Sequence, residues 1–394
     1  MKKIIYNLNL SLIYFLFITL LNADFLYAYP EFIGHGYATC MTCHYNGGGN
    51  GPLNDYGRSL FAAEIAAKPF WNTKLDDETL SEYSGLFGSV QLPYWLRFNI
   101  KYRGLSAIQS PLRTGQVKKF YGMQKDLDTV ISFDEDQKYI FAFNLGLVEK
   151  PIFASPNKTF NETEILTREH YFRNQFSDSL WMYLGFMDKA YGIRHPDHTA
   201  FNRGALNAGQ NDQTHGLTLQ YAIEKHEFFF NPYIGNLFLK RAEQFSGLSM
   251  LYLFEPSEKR RVGITSMAEE TEILKRLRGA LIFEAGMGEG NSVLMEGGLF
   301  ENTTFGQKPI RGAYAWTQAT MKLKRGIYFQ SIGQYSKQNI QSIYPENFRW
   351  GLGFKYFPMQ RIEILVQAIQ GRIIPLDDVK ADSWTFQSQL HLSL

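Results

Sequence analysis

Five consecutive residues, Cys40-Met41-Thr42-Cys43-His44, carry the most specific chemistry in this chain. Two thiols lie three positions apart, about one turn of chain, and an imidazole follows the second directly. That order is the attachment signature of a c-type haem. Each thiol S–H adds across one haem vinyl group to leave a thioether, and the histidine reaches the iron as proximal ligand. Cys40 and Cys43 are the only two cysteines. A disulfide, a dithiol redox pair or a zinc site could also use them, but none of these gives His44 a role, and no further cysteine completes a zinc cage. One covalent haem c, held by Cys40, Cys43 and His44, is therefore the expected cofactor.

The ligand on the other face of the iron is open to several residues. Met41 lies inside the tether itself and is poorly placed. His35, nine positions before His44 and flanked by Gly34 and Gly36, is the first candidate, as a second metal-binding histidine that a flexible stretch folds back over the haem. A plain loop histidine, a ligand from elsewhere or an open site are the alternatives. Gly47, Gly48, Gly49 and Gly51 offer little bulk and would let the backbone pass close to a flat macrocycle, or simply form a flexible turn. From Asp55 to Lys68, the spacing of Tyr56, Leu60, Phe61 and Ile65 predicts a short amphipathic helix that could cover one haem face.

The elements that must position these groups begin with a leader. Lys2 and Lys3 precede an apolar stretch from Ile4 to about Leu21, and Ala28 precedes Tyr29-Pro30, so residues 1–28 read as a secretory signal. An uncleaved anchor is the alternative, but Asn7, Asn9 and Ser11 interrupt a stretch already short of the ~20 apolar residues of a span. The leader holds two lysines and one aspartate of the 40 basic and 38 acidic side chains, so the remainder is close to neutral and no nucleic-acid partner is expected. No second apolar run suits a membrane helix.

From about residue 89 onward the pattern has period two in segments of roughly ten residues, the signature of a transmembrane β-barrel. Val90, Leu92, Tyr94, Leu96, Phe98, Ile100 and Tyr102 share one face, with Gln91, Arg97, Asn99, Lys101 and Arg103 on the other. Near the end Phe348, Trp350, Leu352, Phe354 and Tyr356 alternate with Arg349, Gly351, Gly353 and Lys355, and Trp384 to Leu394 repeats the pattern. About sixteen such segments can be counted; the second and tenth alternate poorly because basic residues crowd both faces. Joins are mostly brief and long by turns, from Glu224-Lys225, Glu255-Pro256-Ser257-Glu258 and Phe357-Pro358-Met359 to a stretch from about Lys189 to Asp212. A soluble β-sandwich explains the alternation but not that rhythm.

The fold class expected is thus mainly β: a transmembrane antiparallel β-barrel of about 16 strands over 86–394, preceded at 29–85 by a short helical haem c segment. With an even strand number both barrel ends face the periplasm, so the segment enters from that side as a plug or seats on the mouth. This singles out His391, on the polar side of the last strand near its periplasmic end, as a weaker distal candidate, or else one more polar lumen residue. Arg194-His195-Pro196-Asp197-His198 falls in the long join expected at the cell exterior, where an external electron partner or metal could meet it; an ordered polar loop is the plainer reading.

Tyr29-Pro30-Glu31-Phe32, His35-Gly36-Tyr37, the haem motif, the glycine run and Tyr56-Gly57-Arg58 together resemble the fused cytochrome-porins, in which a single-haem segment directly precedes an outer-membrane barrel. The detailed likeness spans about forty residues; the rest is alike in architecture only. The relatives best known by layout are outer-membrane iron oxidases, which pass electrons from external ferrous iron to periplasmic carriers. The resemblance carries over Cys40, Cys43 and His44 as haem residues and His35 more weakly; no loop motif carries over the iron substrate. It implies an electron-transfer protein among outer-membrane lipid, between an external donor or acceptor and a periplasmic cytochrome or other redox carrier. A barrel wall of ~25 Å is long for one carrier, which favours such a partner. Two other classes stay open: a porin or channel whose haem segment is a structural or redox-sensitive plug, and a haem enzyme of peroxidase type. Electron transfer, with metal-ion oxidation as its enzymatic form, is expected ahead of group-transfer catalysis.

Overall fold

The computed structural model describes residues 30–35, 37, 39–49, 51–84, 92–111, 117–148, 164–195, 197, 199–206, 212–257, 259–341, 345–374 and 381–393. The leader at 1–28 and Tyr29, Gly36, Val90, Gln91, Pro196, His198 and Leu394 lie outside them. Four short helices come first: α1 (Pro30–His35), α2 (Cys40–Cys43), α3 (Asp55–Leu60), which runs into one π turn (Phe61–Ile65), and α4 (Asp77–Glu82). Then follow β1 (Leu96–Pro111), β2 (Val117–Ser132), β3 (Tyr139–Val148), β4 (Glu164–Leu166), β5 (His170–Ser177), β6 (Leu180–Met187), β7 (Thr214–Ile223), β8 (His226–Gly235) and β9 (Ser246–Ser257). The remaining strands are β10 (Arg260–Glu270), β11 (Leu274–Gly286), β12 (Ser292–Thr304), β13 (Ile310–Lys324), β14 (Ile327–Lys337), β15 (Glu346–Met359), β16 (Ile362–Ile374) and β17 (Ala381–Ser393).

The strands pair antiparallel in chain order, β4 and β5 apart, and β1 pairs with both β2 and β17, which closes the sheet into a barrel. Both β4 and β5 pair with β3, through Gly146 with Leu166 and Phe143 with His170, so they are two pieces of one stave. The wall therefore has sixteen staves, the expected number. Alternation sets the faces. In β15, Phe348, Trp350, Leu352, Phe354 and Tyr356 are exposed on the outside, while Lys355 is buried toward the lumen. Leu281 at 68% and Leu299 at 62% exposure belong to the same outer apolar surface. Water cannot satisfy backbone groups in a hydrocarbon layer, and a closed ladder leaves no unpaired edge.

Several boundaries differ from the sequence reading. The first strand starts at Leu96 rather than near 89, since Pro93 lacks a donor and closes a turn by accepting from Leu96 N at 3.1 Å. Pro358 is not in a turn. It lies at a bulge where the register of β15 on β16 shifts between Tyr356 and Met359, and the tight turn follows at Gln360-Arg361, with Arg361 at φ 77°. Poor alternation in the second and tenth segments has a cause inside the lumen. Asp126 and Asp128 on β2 pair with Arg168 and Lys101, while Arg276 and Arg278 on β11 both approach Glu269. Charge on an inner face costs little when it meets its opposite there.

The lumen is filled from both ends. From the end that carries the short turns, α1 to α4 enter as a plug. From the other end, the join between β6 and β7 folds inward. The two meet in one apolar cluster: Phe32, Ile33, Cys43, Leu60 and Ile65 of the plug and Ile193 and Ala200 of the join pack against wall residues such as Trp316 and Phe357. The expectation that Arg194-His195 is displayed outside is thereby corrected. His195 is buried, stacks on Trp316 at 4.2 Å between centroids, and shares a 2.9 Å hydrogen bond with Asn202. Glu296 on β12 latches this inner loop, accepting from Ile193 N (2.7 Å), Asn202 Nδ2 (3.0 Å) and Tyr314 OH (2.7 Å). Glu296→Ala strands the buried Ile193 amide and Asn202 Nδ2, while Tyr314 keeps Tyr191 OH at 3.1 Å, and should cost about 2 kcal/mol or more. Trypsin cleavage at Arg194 or Arg203 in the intact barrel reads that release; a loop as resistant as wild type would count against the latch.

Candidate functional site

The thiol-bearing turn is built locally. α2 holds Cys40 and Cys43 on one turn, His44 N donates to Cys40 O at 2.8 Å, and His44 then leaves in extended conformation. The chain then folds back, with His44 bridging to Leu53 and Tyr45 N donating to Pro52 O at 3.3 Å. Gly49 takes φ 79° in this loop, and a Cβ there would sit 2.8 Å from Cys40 Sγ. Both the conformation and the close approach demand glycine, which gives part of the glycine run a definite role.

Asn54 clasps the turn, and the sequence reading missed it. Its Nδ2 donates to Met41 O at 3.3 Å and Thr42 O at 3.1 Å, its N donates to Cys43 O at 2.8 Å, and its Oδ1 caps α3 through Gly57 N at 2.8 Å. An asparagine just before a helical pattern was the available signal. Asn54→Ala should lower the stability of the folded segment by ~1–2 kcal/mol, because cap and clasp go together. A thermal melt followed by proteolysis at Arg58 measures this. No change in midpoint would show the clasp to be idle.

The amphipathic helix appears as α3 plus the π turn, with one correction. Leu60 and Ile65 are buried and Phe61 lines the cavity described below, but Tyr56 is 52% exposed and faces the Tyr37 ring, 6.1 Å away edge-on. The wall grips the segment through partners far off in sequence. Lys355 pairs with the fully buried Glu31 at 2.8 Å, Arg97 forks onto Asp55, and Arg325 donates to Ala62 O, Ala66 O and Asp77. Arg173 donates to Tyr45 O, and Tyr183 OH meets Gly47 N and Met41 Sδ at 3.1 and 3.2 Å. At the entry, a Cβ on Gly34 would fall 2.1 Å from the Gly290 carbonyl carbon, so α1 touches the wall backbone to backbone.

Between plug, inner loop and wall lies a cavity of about 310 Å³, at the lower end of the ~300–1,000 Å³ usual for cofactor sites. Phe32, Leu53, Phe61 and Phe357 give it apolar walls, and Arg58, Arg97, Lys101 and Arg361 give it a basic flank. His44 lines it, as does His391, whose strand register sets it between Arg103 of β1 and Glu363 of β16. His35 does not line it. Its Nδ1 is 3.1 Å from Glu64 and its Nε2 3.3 Å from Lys322 Nζ. The structure thus sets His44 and His391 on one cavity, which neither Cys40 nor Cys43 lines, and engages His35 elsewhere.

These residues fit a c-type haem on their own chemistry. Both cysteines are free. Burial pushes the Cys40 and Cys43 thiols up to about 12, so neither is the low-pKa thiolate that disulfide exchange requires. Enclosure lowers His44 to about 4, with the Lys101 charge adding to it, which leaves the neutral imidazole that binds metals at ordinary pH. His391 Nε2 is a buried nitrogen without a hydrogen-bond partner. Among the described residues no cluster of three or more His, Cys, Asp or Glu is arranged to hold a bare metal ion.

Neither a family model nor a curated protein matches this chain. Solved structures match it in fold. A loop-L8 deletion mutant of OmpT, an outer membrane protein of Vibrio cholerae, superposes with a TM-score of 0.59 at 8% identity, over 76% of this chain and 99% of that one. An anion-selective porin from Comamonas acidovorans gives 0.57 at 8%, over 76% and 99%. The outer membrane channel DcaP of Acinetobacter baumannii gives 0.56 at 10%, over 76% and 97%. At such identities the likeness is one of architecture: this chain is a closed sixteen-stave barrel of the outer-membrane porin type.

Proposed function

We propose that this chain is an outer-membrane electron-transfer protein, with one c-type haem on Cys40, Cys43 and His44 inside a plugged porin-like barrel. The observation that carries the reading is the Cys40-to-His44 turn, set in the lumen with two free thiols and with His44 on the wall of a cavity. When bound, the haem supplies one-electron exchange between ferrous and ferric iron. The chain's own residues hold and shield it: Asn54 and Gly49 fix the turn, Phe32, Phe61 and Phe357 exclude water, and Arg58 and Arg361 offer positive charge for its carboxylates. The outward apolar surface and the fold of outer-membrane porins support a seat in outer-membrane lipid. The short-turn end would then face the periplasm and its redox carriers, and the inner loop an external donor or acceptor.

The test is production in a host that matures c-type cytochromes, followed by a pyridine haemochrome assay and intact mass of the detergent-extracted barrel. One covalent haem is expected in the wild type and none in Cys40→Ala/Cys43→Ala. In sealed vesicles the loaded protein should oxidise an impermeant external donor at the expense of an enclosed acceptor. A folded barrel without covalent haem would end the reading.

The porin-type wall favours a second reading, a channel closed by its own N-terminal segment. Solute flux separates the two: a conduit stays closed to small solutes in both redox states, while a gated channel opens in one of them.

A further inference from the structure

We infer that His391, on the barrel wall, is the iron ligand opposite His44, so that haem loading joins the N-terminal segment to the wall through the iron. The inference rests on the haem reading above and adds to it which residue completes the coordination.

An unpartnered imidazole nitrogen shares one cavity with the histidine of the thiol-bearing turn. His391 Nε2, on the last strand, is buried and has no hydrogen-bond partner, and His391 and His44 line the same 310 Å³ space. Buried ring nitrogens are nearly always bonded, and such an exception on the cavity that His44 also lines points to a ligand held there. His391 also has the support that ligating histidines carry. Its Nδ1 faces the Glu363 carboxylate at 3.7 Å, and a carboxylate behind one ring nitrogen leaves the other free to donate its lone pair. The strand fixes the position, since His391 is paired in register with Arg103 on one side and Glu363 on the other.

The other described histidines are accounted for. His35 is engaged at both nitrogens by Glu64 and Lys322 and does not line the cavity. His195 lines it, but its Nε2 is bonded to Asn202 and its ring lies flat on Trp316. His170, His215 and His226 do not line it and bond Thr167, the Leu237 amide and Tyr252. No methionine is among its lining residues. Coordination by one histidine of the plug and one of the wall has a mechanical consequence: loss of the wall ligand should loosen the segment even though both thioethers stay.

The experiment is electron paramagnetic resonance and visible spectroscopy on the full haem-loaded chain, with trypsin cleavage at Arg58 and Lys74 as a second readout. Wild type should be low-spin with two imidazole ligands. His391→Ala should keep its covalent haem, turn high-spin, regain the low-spin signal with added imidazole, and be cut in the segment about tenfold faster or more. His35→Ala should leave the spectrum unchanged. His391→Met, closer in bulk, keeps the question answerable if the alanine variant fails to fold: the two-imidazole signal should give way to a sulfur–iron charge-transfer band. A high-spin wild type, a His391→Ala or His391→Met protein with the wild-type spectrum, or a shift to high spin in His35→Ala would overturn the inference. A wild type without covalent haem would remove the haem reading itself, a different result from a loaded protein with another ligand.

Discussion

Lys355→Met should undock the N-terminal segment more severely than any other single change in the wall. Glu31 is fully buried, and the Lys355 ammonium 2.8 Å away is the cation that answers it. Removing one member of such a pair leaves an uncompensated charge, at about 3–5 kcal/mol, whereas removing both with apolar or neutral groups of like volume is often close to neutral. Glu31→Gln/Lys355→Met should therefore dock nearly as well as wild type. The penalty also has a pH signature. Burial already raises the Glu31 carboxyl above its ordinary value with Lys355 present, and without the cation the docked state must take up a proton. A carboxyl raised in the folded state loses stability as pH rises, so the defect should fade below the solution value of about 4.3 and deepen toward neutrality. Protease resistance of residues 30–84 across that range measures it. A single variant docking as firmly as the double one would refute the pairing argument.

What could be read from the chain divides along a physical line. Period-two alternation reports which face a strand turns outward, and that is a local property; β12 to β17 were therefore legible as elements, although β15 runs on to Met359 through residues read as a turn. The Cys40-to-His44 motif stands out for the same reason, since its residues are five neighbours. Where charges crowd both faces, as in β2 and β11, the local pattern blurs because the deciding partners, Arg168, Lys101 and Glu269, are brought near only by closure of the barrel. His35 illustrates the limit. Its flanking glycines suggested a fold-back onto the haem, but its neighbours proved to be Glu64 and Lys322, the second of them on a strand nearly three hundred residues away. The inward fold of the loop carrying Arg194 and His195 had no local signal either, because it depends on Glu296 and Trp316 of the opposite wall. Asn54 is the intermediate case: its capping role was readable, its grip on Met41 and Thr42 was not.

Removing residues 30–84 should turn a closed barrel into an anion-preferring pore. A sixteen-stave barrel encloses an aqueous channel unless something fills it, and here the plug and inner loop meet inside the lumen in a shared apolar cluster. Without the plug only the inner loop narrows the lumen, and conductance in planar bilayers should rise by about tenfold or more over the full chain. The charge left behind sets selectivity. Lys355 loses Glu31, Arg97 loses Asp55, Arg325 loses Asp77 and two carbonyls, and Arg173 loses the Tyr45 carbonyl, while all four cations remain on the inner wall at that end. Positive charge along a narrow low-dielectric passage concentrates anions, so the reversal potential in a salt gradient should move toward that of the anion. Lys355→Met/Arg325→Gln in the shortened chain should weaken that preference while the conductance stays high. A full chain that conducts as well as the shortened one, or a shortened one that prefers cations, would mean that the N-terminal segment is not what closes the barrel.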